Sequence, residues 1–247
     1  MRRLFIPGRL ADTVTLTGSD AHHLGYTLRA RTGERCVVVD AERQMASMEI
    51  TGFTADTVTL RLVERLAADT ESPIRLALAV CLLKSDKMDF VVQKAVELGA
   101  ATVQPLESEN CVARYDGKKA EARRERWQRI ADEAAKQCGR TALLEVAPIL
   151  PFGEWLTARP ERDGAAFFCY EAEEQKTLGA WLAETEGGAF TAVVGPEGGF
   201  TPTEAEMAKR AGLSAVTLGS RILRAETAAV AALAIAQHVK GDLGNKS

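Results

Sequence analysis

The chain has 247 residues, 46% of them hydrophobic, and a formal net charge of −3. That composition supports one large core or two moderate ones, and the overall charge gives no global indication of a nucleic-acid partner. No segment reaches the length of a membrane span, and the opening MRRLFIPGRL lacks the apolar run of a signal peptide, so a cytoplasmic location is expected.

Residues 1 to 66 read as β-rich, a small barrel or sandwich. Short runs at Cys36 to Val39, Ala46 to Ile50 and Thr57 to Val63 are bounded by Gly33, Asp40, Gly52 and Asp56. Asp20 offers a cap for one short helix carrying His22, His23, Leu24 and Leu28. The stretch Ala67 to Pro73, AADTESP, is polar and ends in proline, as a linker would.

From Arg75 the pattern changes. Strands are expected at 75–83, 101–106, 145–149, 165–170, 190–194 and 214–219, alternating with helices at 87–98, 119–138, 152–158, 177–186, 203–211 and 225–239. Such alternation implies a parallel sheet with helices on both faces.

The most informative stretch is FTAVVGPEGGFTPTEAEMAKRA, from Phe190 to Ala211. An apolar run ends at Gly195, Pro196, Gly198 and Gly199, and Thr201, Pro202 and Glu204 then read as a capping box with proline at the first helical position. A strand, glycine loop and helix in this order expose backbone amides where ligands bind in open parallel sheets. No Lys-Ser or Lys-Thr follows the glycines, G-x-G-x-x-G is absent, and Glu197 would repel a phosphate while tolerating a cation or accepting ribose hydroxyls. The loop suits a nucleoside bearing positive charge, or it is an ordinary tight turn.

A second glycine loop, Leu218 to Ser220, leads to Arg224, Glu226 and Thr227 at the start of the last helix, as a second wall of the same pocket would. That helix is apolar nearly all round, which demands cover from the core or from a second subunit. Lys94 and Glu97 stand three apart on an earlier helix and read as a structural pair; Gln137 and Arg140 stand near a helix end that Gly139 breaks. Five cysteines at 36, 81, 111, 138 and 169 stand singly, so neither a disulfide framework nor a metal site is expected.

Charge is uneven along the chain. Residues 1–35 carry six arginines, and residues 113–140 carry nine basic residues against five acids. A solvated helix face explains the second group as well as a nucleic-acid surface does, but two basic regions beside a nucleoside site favour RNA or DNA.

GPEGGF at 195–200, LGSRILRAETA at 218–228, QKAVELGA at 93–100 and EAAKQCGR at 133–140 resemble the RsmE family, bacterial 16S ribosomal RNA methyltransferases of the SPOUT superfamily that modify uridine N3. RRLFIP and HHLGYTLRARTGE near the N-terminus are similar to that family's PUA-like RNA-binding domain, so the resemblance spans nearly the whole chain. At position 225 that family has threonine as often as the alanine found here.

The resemblance implies an α/β fold with an N-terminal PUA-like β-barrel domain over 1–70 and a C-terminal, trefoil-knotted α/β-knot with a mostly parallel sheet over 71–247. It implies a homodimer joined through the C-terminal helix, and S-adenosylmethionine held by Tyr170, Glu171, Gly195, Pro196, Glu197, Gly198, Gly199, Leu218, Gly219, Ser220, Ile222 and Leu223. Arg224 is the first candidate to stabilise the base as it loses its N3 proton, Arg140 the second, and Glu226 is either the proton acceptor or, at a helix start, a cap or a partner for Arg224. Arg2, Arg3, Arg9, Arg29, Arg31, Arg114, Lys118 and Arg123 are the candidates for RNA phosphates of the small ribosomal subunit. Two other readings stay open: a non-catalytic RNA-binding or ribosome-assembly protein of the same fold, and a small-molecule α/β enzyme with a phosphorylated ligand.

Overall fold

The computed structural model describes residues 2–27, 29–67 and 70–244, which form two compact units. The first comprises the chain to Glu71 together with Ala135–Ala142; the second comprises Ser72–Ala134 and everything from Leu143.

In the first unit, β1 (Arg2–Phe5), β2 (Thr13–Thr17), β3 (Arg35–Val39), β4 (Met45–Phe53) and β5 (Thr57–Leu66) form one sheet in the order β1-β3-β4-β5-β2. The β1–β3 pair is parallel and the other ladders are antiparallel. Leu4 and Leu16, from the two edge strands, share one core with Val38, Met48, Ile50 and Leu60, so the sheet curls around its own apolar face. Register shifts at Ser47/Met48 and Ile50/Gly52 give β4 the local bends that such curling needs.

The expected short helix begins at Gly18 rather than behind an Asp20 cap. It runs as α1 (Gly18–His22) into a π-helical turn, His23–Thr27, and Leu28 lies outside the described residues. The expected linker, in which residues 68 and 69 also lie outside the description, is not a free tether at its far end. Glu71 accepts hydrogen bonds from the backbone N–H groups of Thr141 and Ala142 at 2.8 and 2.9 Å and pairs with Arg140 at 2.6 Å.

The second unit carries β6 (Arg75–Cys81), β7 (Ala100–Glu107), β8 (Glu145–Val146), β9 (Leu150–Pro151), β10 (Ala165–Cys169), β11 (Ala189–Val194) and β12 (Ser214–Val216). All its ladders are parallel, in the order β12-β10-β11-β6-β7-β8, with β9 also paired to β7. The central strands are apolar on both faces: β6 is buried from Leu76 to Cys81 and β11 from Phe190 to Val194. Helices α2 (Ser85–Glu97), α3 (Gly117–Cys138), α4 (Phe152–Ala158), α5 (Leu178–Glu184), α6 (Pro202–Arg210) and α7 (Ala225–Lys240) intervene as the alternation predicts.

Two differences have local causes. Of the run expected at 145–149 only Glu145–Val146 is strand, β8; Pro148 follows, and β9 begins beyond the expected run at Leu150. The last strand stops at Val216 because Thr217 turns out of the sheet, its hydroxyl accepting the Gly219 N–H at 3.2 Å while its carbonyl accepts Leu178 N–H at 3.1 Å. Helix α7 packs on α2, α5, β6 and β11 through its alanines and Leu233, leaving Val230 and Ile235 half-buried and Val239 exposed. No helix among the described residues is long and apolar enough to cross a membrane.

Candidate functional site

Strands β12, β10 and β11 are neighbours, so the loops that leave their carboxyl ends meet side by side. Together they line a cavity of about 1060 Å³. Every residue expected to hold a cofactor is on its wall: Tyr170 and Glu171 after β10, Gly195 to Gly199 after β11, and Leu218, Gly219, Ser220, Ile222 and Leu223 after β12.

The glycine loop is built as its sequence predicts. Thr201 caps α6 by accepting the Glu204 N–H at 3.2 Å, and Glu204 returns the bond by accepting the Thr201 N–H at 2.9 Å. The second oxygen of Glu204 accepts the Glu109 N–H at 2.8 Å, tying the segment after β7 to the start of α6. Asn110 on that segment donates its amide to the carbonyls of Gly198 and Gly199 at 3.2 and 3.1 Å. Gly199 has φ +71°, and a β-carbon there would stand 2.4 Å from Glu171 Oε1. Glycine is therefore required on two counts, the left-handed backbone and the close approach of the Glu171 carboxylate.

Arg224 lies on the same wall, exposed, at the residue preceding α7, and no ion-pair partner engages it among the described residues. Glu226, two residues on, does not line the cavity. Its Oε2 is enclosed, accepts no hydrogen bond among the described residues, and has the Lys87 ammonium 3.4 Å away. Lys87, from the first turn of α2, does line the cavity and also meets Glu197 Oε1 at 3.2 Å. The hydrogen bond that the ammonium donates to Glu197, and then the nearby Glu226 carboxylate, hold the Lys87 pKa above its ordinary value despite some desolvation. Glu197 is shifted the other way. Desolvation opposes its charge, but its own backbone N–H, that of Lys84 and the Lys87 ammonium outweigh it and hold the carboxyl below its usual range.

Arg140 is placed elsewhere. It is buried in the first unit, in a two-pronged ion pair with Glu71, and is not among the cavity-lining residues. Burial works against the Glu71 charge; the hydrogen bonds and charge of Arg140 and the N–H groups of Thr141 and Ala142 outweigh it and hold the Glu71 pKa down.

The basic candidates divide similarly. Arg3 is largely committed to structure: it donates to the carbonyls of Gly139 and Arg140, and desolvation lowers its pKa. Arg2 pairs with Glu34 at 2.9 Å and Arg9 with Glu42 at 2.5 Å, while Arg29 and Arg31 are exposed. In the second unit Lys118 is exposed, Arg114 donates to the Glu109 carbonyl at 3.1 Å, and Arg123 lies over the Tyr115 ring at 5.2 Å.

Sequence reasoning passed over Lys87 and Asn110. Each sits on an element remote in sequence from the glycine loop, and neither belongs to a local pattern that would single it out; the adjacency exists because β6 pairs with β11 and β7 with β6 in the sheet.

Comparison with known proteins places these features in context. A family described as an RNA methyltransferase domain matches residues 70–237. Ribosomal RNA small subunit methyltransferase E of Bacillus subtilis is 32% identical over 227 residues, covering 90% of this chain and 89% of that protein. Its counterpart in Synechocystis is 34% identical over 223 residues, covering 90% and 72%. The crystal structure of ribosomal RNA small subunit methyltransferase E from Neisseria gonorrhoeae bound to S-adenosyl methionine superimposes with a TM-score of 0.87 at 35% identity, over 98% of this chain and 99% of that one.

Proposed function

Because the chain belongs to the RNA methyltransferase family that includes ribosomal RNA small subunit methyltransferase E, we propose that it transfers a methyl group from S-adenosylmethionine to N3 of a uridine in 16S ribosomal RNA of the small ribosomal subunit. The observation that carries this reading is the convergence of the three loops after β10, β11 and β12 on one cavity, in a chain that overlays a cofactor-bound relative along almost its full length.

The residues present fit the cofactor. The wall combines apolar surface from Val194, Leu218 and Leu223 with the backbone of a glycine loop and the Glu171 carboxylate, the mixture that an adenine, a ribose diol and a cationic sulfur call for. When bound, S-adenosylmethionine supplies a methyl group on a positively charged sulfur, an electrophile that needs no further activation. Tyr170, Glu171, Gly195 to Gly199 and Leu218 to Leu223 would hold it.

The protein's own task is to position the base and manage one proton. Uridine N3 is covered by Watson-Crick pairing, so the base enters unpaired. As the N3–H bond breaks, its electron pair is shared with O2 and O4, and the exposed Arg224 guanidinium on the cavity wall is the group to stabilise that charge. Arg140, engaged by Glu71, is left out of this step. Arg29, Arg31, Arg114, Lys118 and Arg123 are the side chains we assign to RNA phosphates, with Arg2 and Arg9 able to exchange exposed carboxylate partners for them.

The same reading makes the first unit a PUA-like RNA-binding domain over residues 1–70 and the second a SPOUT α/β-knot over 71–247, acting in the cytoplasm. The return of β12 past β11 to pair with β10 is a crossover compatible with a knot. The incompletely covered residues of α7, Val230, Ile235 and Val239, support a homodimer through that helix.

The test is calorimetric titration with S-adenosylmethionine and S-adenosylhomocysteine, with ATP as control, followed by methyl transfer to small ribosomal subunits isolated without the modification. Micromolar binding of both methyl-cycle ligands and one methyl group per subunit at a uridine N3 are expected. RNA binding with no cofactor affinity would replace this reading with that of a non-catalytic assembly protein.

A further inference from the structure

The arrangement behind the cavity wall is unusual for a lysine. Lys87 has a flexible four-carbon stem and would ordinarily sample many positions in solvent. Here two carboxylates from different elements hold its ammonium, Glu197 from the loop after β11 at 3.2 Å and Glu226 from α7 at 3.4 Å. All three side chains are about three-quarters or more buried. The Glu226 contact is the more telling, because its Oε2 is enclosed and takes no hydrogen bond among the described residues. A carboxylate oxygen in that position is strongly unfavourable unless a cation stays beside it, so Lys87 is pinned from within as well as from the loop.

An ammonium has three donors and no acceptor. Glu197 Oε1 takes one at 3.2 Å, the Glu226 carboxylate stands 3.4 Å away as an ion-pair partner, and because Lys87 lines the cavity a remaining donor is available to whatever occupies it. The group also remains charged, since both partners favour the ammonium. A hydrogen bond from an ammonium to a carbonyl oxygen strengthens as that oxygen gains charge. The other charged groups on the same wall are Arg221 and Arg224 before α7 and Glu171, Glu173 and Glu174 after β10.

We propose that Lys87 is a catalytic residue of this site: its ammonium, fixed by Glu197 and Glu226, donates a hydrogen bond to a carbonyl oxygen of the target base and stabilises the charge that oxygen gains as N3 loses its proton. The proposal rests on the methyltransferase reading and redistributes its roles. Glu226 is then a positioning residue, shut off from the base behind the ammonium. The N3 proton passes to water, the electron pair stays on the base until the methyl carbon accepts it, and the sulfur leaves with the electrons of the broken carbon–sulfur bond.

The experiment uses the full-length protein, small ribosomal subunits and four variants: Lys87→Met, Lys87→Arg, Glu226→Gln and the double variant Lys87→Met/Glu226→Gln. Loss of one preorganised donor to a developing oxyanion lowers kcat by about 100-fold. Lys87→Met should show that loss with calorimetric cofactor affinity within threefold of wild type, and Lys87→Arg should recover most of it. Glu226→Gln, which loosens the ammonium without removing it, should fall about tenfold. The double variant leaves no buried charge unpaired and should fold, with a kcat no lower than that of Lys87→Met. The proposal is overturned if Lys87→Met keeps kcat within threefold, if it loses cofactor affinity while kcat at saturation holds, or if the double variant's loss is the product of the two single losses. Failure of the wild type to bind cofactor or methylate the subunit would sink the methyltransferase reading instead, a result distinct from all of these.

Discussion

Replacing Gly199 by alanine tests the geometry of the glycine loop by two separable effects. The first is backbone strain: at φ +71° an L-residue costs about 1–2 kcal/mol. Alanine also restricts the unfolded chain, which offsets about 0.4–1 kcal/mol of that cost. A net loss of about 1 kcal/mol remains, a fall in Tm of roughly 2–4 °C for a unit of this size. The second effect is steric and local. The new methyl group would stand 2.4 Å from Glu171 Oε1, so the carboxylate must swing away from the loop. If Glu171 helps hold the cofactor, affinity should fall about tenfold, equivalent to about 1.4 kcal/mol. Gly212 supplies the control, because it has φ +84° with no atom within 4 Å of an added β-carbon. Gly212→Ala should therefore reproduce the loss in Tm and leave cofactor affinity intact. Scanning calorimetry reads the first effect and isothermal titration with S-adenosylmethionine the second. Equal affinity in the Gly199 and Gly212 variants would refute the claim that the loop and Glu171 form one wall.

Arg224→Ala should leave cofactor affinity within threefold and reduce methyl transfer at least 100-fold, as loss of a preorganised cation does; unchanged turnover on saturating subunits would remove Arg224 from the reaction. Arg140→Ala strands the Glu71 carboxylate and should destabilise the protein by about 3 kcal/mol, measured by urea unfolding at neutral pH. Because the Glu71 pKa is depressed on folding, its contribution is fully present above the ordinary carboxylate value near 4.5 and disappears as the pH falls through the lower folded-state value. Glu71→Gln should consequently be less stable at pH 7 and flatter in its acid dependence below about pH 4.5. Replacing Arg114, Lys118 and Arg123 together by alanine should weaken RNA binding and make its logarithmic salt dependence shallower by about 2 to 3; an unaltered slope would take these side chains off the phosphates.

Much of the second unit was legible because its information is local. Apolar runs locate β6, β10 and β11, the last closed by Gly195 and Pro196, and Thr201, Pro202 and Glu204 fix where α6 begins. The three cavity loops were legible for the same reason, each following a strand end. Contacts that depend on register between distant segments were not. Nothing near Arg140 announces that Glu71 will engage it, and nothing near Arg3 announces the carbonyls of Gly139 and Arg140. Ala135–Ala142 continues a helical pattern yet groups with the first unit, since compact units follow tertiary contact and not the boundaries of local structure. Lys87 was obscured more deeply: a lysine in the first turn of a helix reads as solvated surface, and its significance comes from Glu197 and Glu226, far along the chain.

The order in which the strands pair also bears on when the site comes into being during synthesis. β6 finds its neighbour in β11, with Arg75 opposite Ala189, and β12 then adds beyond β10. The middle of the sheet therefore waits for chain that is made late, and the start of α7, which supplies Arg224 and Glu226, is later still. Pairings so far apart in sequence are slow to close, and a nascent chain lacking its final third has no cavity to close around. Ligand binding should accordingly report completion of the polypeptide: nascent chains stalled before β12 should acquire the curled N-terminal sheet and show no cofactor affinity, with both properties present together after release.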